Sequence, residues 1–150
     1  RPDQKVGGAR AAMRFAVEID DQKIGPKTTA EFVAALVSAL YQANLAYLRE
    51  NKTAPLLLSG VKYEPQAALS SVDRFWFDVP TALREGRIDC KGAAAWYAAE
   101  ETLRGRPTVP VVIWADRLVR GEAVRMFHVL TRDARGVMRD PSISLGMRER

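Results

Sequence analysis

At 150 residues, with 47% hydrophobic and 27% charged residues, the chain has the size and composition of one globular domain, able to bury about two-thirds of its extended-chain surface. No apolar run in it approaches the roughly 20 residues of a membrane-spanning helix, which argues against a membrane partner. The net charge of +5 comes largely from arginines placed singly along the C-terminal third without interleaved aromatics, which argues against a nucleic-acid partner.

One cysteine permits no internal disulfide, and neither end carries a recognisable secretory signal. The expectation is a soluble protein, cytoplasmic or part of an assembled particle. Residues 1–150 read as a single domain in which residues 1–11, with Pro2 and Gly7-Gly8, form a flexible arm.

The alternation of Met13, Phe15, Val17 and Ile19 with more polar neighbours predicts a half-buried strand. After Gly25-Pro26, Thr28 or Thr29 is placed to cap a helix running to about Glu50, with Glu31 completing a capping box. Phe32, Leu36, Leu40, Tyr47 and Leu48 recur at helical spacing in it. Leu56-Leu57-Leu58 fits either a short strand or a loop under that helix. Phe75-Trp76-Phe77 reads as core or cleft wall, and Thr81 to Arg84 as a short helix ending near Gly86.

A helix from about Lys91 to Arg104 stops at Gly105-Arg106-Pro107. Val109 to Ala115 follows as a strand, Asp116 to Gly121 as a connection, and Glu122 to Thr131 as a second strand. A turn at Asp133-Ala134-Arg135-Gly136 leads to a third strand, Val137 to Asp140.

The chemistry concentrates in this last third. If the hairpin folds about Ala134, His128 and Asp140 face each other across it, and Leu130 faces Met138. Opposed Cβ atoms stand about 5 Å apart, a span that an imidazole–carboxylate hydrogen bond can bridge. Cys90 opens the preceding helix, where unpaired N–H groups and the helix dipole favour thiolate. Thiol, imidazole and carboxylate in this order form a nucleophile, a base and the group that orients the base. Each residue alone has an ordinary explanation: a buried cysteine, a core histidine, a turn-forming aspartate. Their joint order and helix-then-hairpin setting carry the reading.

Asp89-Cys90 at a helix start, His128 in a following strand and Asp140-Pro141-Ser142 closing the next resemble the transglutaminase-like superfamily of papain-fold cysteine enzymes, over roughly residues 84–147. The resemblance implies an α+β fold with a papain-like, transglutaminase-like core: a central helix bearing the cysteine, packed on an antiparallel sheet. It also implies Cys90 as nucleophile, His128 as general base and acid, Asp140 as orienting group, and a peptide or protein amide as substrate. Val129 departs from the aromatic residue that often follows the family's histidine.

Trp76 and Gln66 are candidates for the oxyanion hole by their position before Cys90. One histidine and one cysteine cannot supply the usual zinc ligands, no acidic cluster suggests calcium, and no phosphate-binding loop is present, so no metal or cofactor is implied. A non-catalytic module docking a protein partner in a larger assembly, such as a viral one, is the alternative reading.

Overall fold

The computed structural model describes Met13, residues 17–65 and residues 76–147. It is a mixed α+β structure in which an antiparallel sheet packs against helices. In chain order the elements are α1 (Asp21–Glu50), a 3₁₀ turn (Leu56–Leu58), β1 (Lys62–Tyr63), α2 (Val79–Glu85), β2 (Arg87–Ile88), α3 (Cys90–Leu103), β3 (Thr108–Val119), β4 (Glu122–Asp133), β5 (Met138–Arg139) and α4 (Pro141–Ser144). β3, β4 and β5 form the antiparallel sheet, and β1 pairs with β2 in parallel.

The start of the chain differs from the pattern-based expectation. Met13, Val17 and Ile19 are exposed and lie in no strand; Phe15 and the 1–11 arm fall outside the described residues. Asp20 instead caps α1, accepting from the Lys23 N–H at 3.2 Å. Gly25 then breaks the helix at φ 82°, and Pro26 restarts it in the first-turn position that a proline tolerates. Thr29 is therefore inside the helix and not its cap. Its hydroxyl donates to the Gly25 carbonyl at 2.8 Å. Glu31 pairs with Lys27 at 2.9 Å instead of closing a capping box.

The buried stripe of α1 is also rotated from the one expected. Val37, Tyr41, Asn44 and Leu45 are buried, and Val33, Leu40 and Leu48 pack beside them.

Helix α3 is the centre of the molecule. Ala94, Ala95, Ala98 and Ala99 meet Val37, Tyr41 and Leu45 of α1 and Val129 of β4. Ala93 and Trp96 meet Leu56, Val61, Val79, Ala82 and Ile88. Methyl-sized side chains allow elements to approach α3 from several directions, and a helix apolar nearly all round is a buried one. Gly92 allows the tightest approach: a Cβ there would stand 2.7 Å from Ile88 Cγ1 and 3.0 Å from the Phe77 carbonyl oxygen. The element that needs this glycine is thus β2 with the Phe77 backbone, not a strand of the main sheet.

Two polar anchors set the far end of α3 against the sheet. The Thr102 hydroxyl donates to the Thr108 carbonyl and accepts from the Thr108 N–H, both at 3.0 Å, and stands 3.1 Å from the Tyr41 hydroxyl. Arg106 makes a bidentate pair with Glu101 at 2.7 and 2.8 Å. It holds that carboxyl below the usual carboxylate range despite burial.

β3 and β4 are longer than their sequence pattern suggested. Asp116 to Val119 belong to β3, and the connection is the two-residue turn Arg120-Gly121 with φ 52° and 81°. Two successive positive φ values are the signature of a type I′ hairpin turn. The end of this hairpin is solvent-exposed, which removes the pressure for an alternating apolar pattern.

Candidate active site

Cys90 is the first residue of α3, and Asp89 shapes the turn that presents it. The Asp89 carboxylate accepts from the Gly92 N–H at 3.1 Å, and its carbonyl takes the Ala93 N–H at 2.9 Å. The N–H of Cys90, one of the first four in the helix, has no partner within it. Lys91 turns back to form a nearly buried ion pair with Asp89, and its ammonium lies 5.1 Å from the centre of the Trp76 ring. A cation over an aromatic face is attracted by the ring quadrupole. Trp76 is thereby held at the first turn of α3, while Gln66 lies outside the described residues.

His128 and Asp140 meet, though not as directly opposed residues. The β4–β5 pairs are Thr131 with Arg139 and Arg132 with Met138, symmetric about position 135 and not 134. Leu130 therefore does not face Met138, and continuing the register would set Leu130 opposite Asp140. The turn is two residues longer than symmetry about position 134 implies, and Asp133 builds it. Its carboxylate accepts from the N–H groups of Arg135 and Val137 at 2.9 and 3.0 Å, and its own N–H reaches the Val137 carbonyl at 3.1 Å. Because the partner index shifts by two, side-chain parity is kept. Asp140 becomes a diagonal neighbour of His128, a distance long side chains still bridge.

The contact is a 2.7 Å hydrogen bond between His128 Nε2 and Asp140 Oδ2. Asp140 divides its two oxygens: Oδ1 accepts the Ser142 N–H at 3.1 Å and caps α4. Pro141 at the first position of α4 fixes that turn. The sequence Asp-Pro-Ser thus ends the strand, starts the helix and fixes the carboxylate that meets the imidazole.

With Nε2 taken by Asp140, Nδ1 is the ring nitrogen left for Cys90. Cys90 packs against the apolar cluster that contains Val129, the residue next to His128. The His128 pKa is pushed up to about 9 by interaction with Cys90, against the opposing effect of burial, and with further support from Asp140. Catalytic contacts of this kind are often loose before substrate is bound and tighten afterwards.

A tryptophan, a lysine ammonium, a thiol, an imidazole and a carboxylate therefore converge on one end of α3. At its other end Leu48, Asn51, Thr53, Glu100 and Leu103 help to line a separate cleft of about 190 Å³. Burial raises the Glu100 carboxyl above the usual range there. Its Oε1 accepts the Leu56 N–H at 2.9 Å, which explains it as an anchor for the 3₁₀ turn. Among the described residues no group of three or more His, Cys, Asp or Glu side chains gathers as a metal site would, and no helix is long and apolar enough to cross a membrane.

The polar tie between Asp89 and Lys91 and the stacking of Lys91 on Trp76 were missed from the sequence. The adjacency Asp-Cys-Lys was the available signal. No protein family, curated protein or solved structure matches this chain.

Proposed function

We propose that the protein is a cysteine-dependent amide or peptide hydrolase with a papain-like, transglutaminase-like core. Cys90 is the nucleophile, His128 the general base and acid, and Asp140 the group that orients the imidazole. The observation that carries this reading is the 2.7 Å bond from His128 Nε2 to Asp140, which leaves the other ring nitrogen for the cysteine at the start of α3.

His128 takes the proton of the Cys90 thiol, and the sulfur attacks the carbonyl carbon of a substrate amide. The backbone N–H of Cys90 is positioned to stabilise the developing oxyanion, and Trp76 lines the same turn. The tetrahedral adduct collapses as the C–N bond breaks, and the imidazolium returns its proton to the departing amine. The resulting thioester is attacked by water, whose proton passes to His128 and then to the leaving sulfur. An amine in place of water would give acyl transfer; hydrolysis is favoured because it requires no second substrate site.

An activated ester tests the nucleophile directly. With p-nitrophenyl acetate, the wild type is expected to release a burst of p-nitrophenol and carry one acetyl group on Cys90 by mass spectrometry. Both are lost in Cys90→Ser. Acetylation of lysines with none on Cys90 would contradict the proposal.

A further inference from the structure

The hairpin β3–β4 is longer than the helix it packs on, and the excess lies at the candidate catalytic end. The 14 residues of α3 span about 21 Å, while the 12 residues of β3 span about 40 Å. Thr102 and Thr108 tie the two elements together at the C-terminal end of α3. The start of α3 then falls near the sixth residue of β3, Ile113, whose cross-strand partner is His128. Trp114 to Val119 and their partners Glu122 to Phe127 overhang beyond Cys90 by about 20 Å.

The overhang has properties that its role in the fold does not require. Trp114 and Leu118 are 41% and 79% exposed, and Ile113 just before them is 44% exposed. Its best-placed charges are already used: Arg125 lies 3.2 Å from Asp116 and 5.5 Å from the centre of the Trp114 ring. Among the described residues β3 pairs only with β4, and β5 pairs with β4 only at Thr131 and Arg132. Among the described residues, no strand pairs with either edge of the overhang.

We propose that this overhang is the substrate-binding arm of the Cys90 site, taking an extended peptide with apolar residues at alternate positions. The inference rests on the hydrolase reading and adds the substrate class. A peptide whose scissile amide sits at Cys90 must continue away from it, and on this side the neighbouring surface is strand edge and exposed apolar side chains. Strand addition joins main chain to main chain, and alternate side chains meet the apolar residues. Arg125 is held by Asp116, and apolar contact with Trp114 and Leu118 carries the selection. The length of the overhang sets the length of peptide recognised at about six residues.

Two series of Cys90-directed alkylating probes test this, each with one, three or six residues of alternating valine and serine. Peptidyl chloromethyl ketones place the peptide on the acyl side of the sulfur, and N-chloroacetyl peptides place it on the leaving-group side. In wild type one series should gain at least about tenfold in alkylation rate from one residue to six, equivalent to about 1.4 kcal/mol. Leu118→Ser, at a position exposed enough to leave the fold intact, and Trp114→Ala should each remove most of that gain without changing the iodoacetamide rate.

Slow iodoacetamide alkylation of wild type would defeat the hydrolase reading itself. Fast alkylation with no length dependence in either series, or a gain that survives both substitutions, would overturn the substrate arm alone. So would a dimer broken by Leu118→Ser whose loss leaves the probe rates unchanged, since the arm would then bind a second copy.

Discussion

The chain contains one histidine, so its ring protons in an NMR titration report His128 alone. The structure places the midpoint at about 9, against 6.5 for an unperturbed histidine. Each pH unit of such a difference corresponds to about 1.36 kcal/mol, so the protonated ring is favoured in the folded protein by up to about 3 kcal/mol. The His128 side chain is 27% exposed, which makes that figure a ceiling. A histidine with a raised pKa contributes stability that is complete below 6.5 and lost as pH rises through about 9, because the unfolded chain releases its proton first. Asp140→Asn keeps an oxygen to cap α4 but removes the negative charge beside Nε2. The midpoint should fall below that of wild type, and urea unfolding at pH 6 should show a loss of about 1.5–3 kcal/mol, the range for a charged hydrogen bond. A wild-type midpoint at or below 6.5, or an unchanged midpoint in Asp140→Asn, would refute the assignment of Asp140 as the partner that holds the imidazole.

Gly92→Ala should destabilise the fold by about 1–3 kcal/mol in urea unfolding through overpacking, since its methyl group would meet Ile88 and the Phe77 carbonyl; an unchanged midpoint would show that β2 can yield. Asp89→Ala removes both the cap of α3 and the counter-charge of the nearly buried Lys91, at a combined cost of about 3–4 kcal/mol. Asp89→Asn, which keeps the capping oxygen, should cost about 1 kcal/mol less than the alanine variant by the same measurement.

The His128–Asp140 contact and the place of Cys90 at a helix start were legible because they depend on local signals. Asp89 starts a helix as an N-cap, Gly105 and Pro107 end it, and Asp133 to Gly136 make a turn. The turn brings residues 128 and 140 together, whereas the packing of α3 on α1 and β4 is non-local and carries no such signal. The register was misjudged because the Asp133 carboxylate builds a turn two residues longer, and the error was harmless because a shift of two keeps parity. The N-terminal strand failed for a different reason. Period-two alternation states what a strand would bury, but nothing covers the apolar side chains of Met13, Val17 and Ile19, which lie exposed and in no strand. The full length of β3 was hidden since Asp116 to Leu118 are exposed and Val119 is only half-buried, and no alternating pattern is selected where neither face is well covered. The Lys91–Trp76 contact joins segments 15 residues apart and has no sequence pattern that announces it.

The central claim is that Cys90 works as a nucleophile paired with His128. The rate of Cys90 alkylation by iodoacetamide as a function of pH, in wild type and in His128→Ala, tests it most directly. The account predicts fast alkylation persisting below about pH 7 in wild type and markedly slowed in the variant, the behaviour of a thiolate held by an imidazolium. Alkylation that is slow in both and rises only near about pH 8.5, as for a free cysteine, would contradict it and leave the fold as a scaffold without this chemistry.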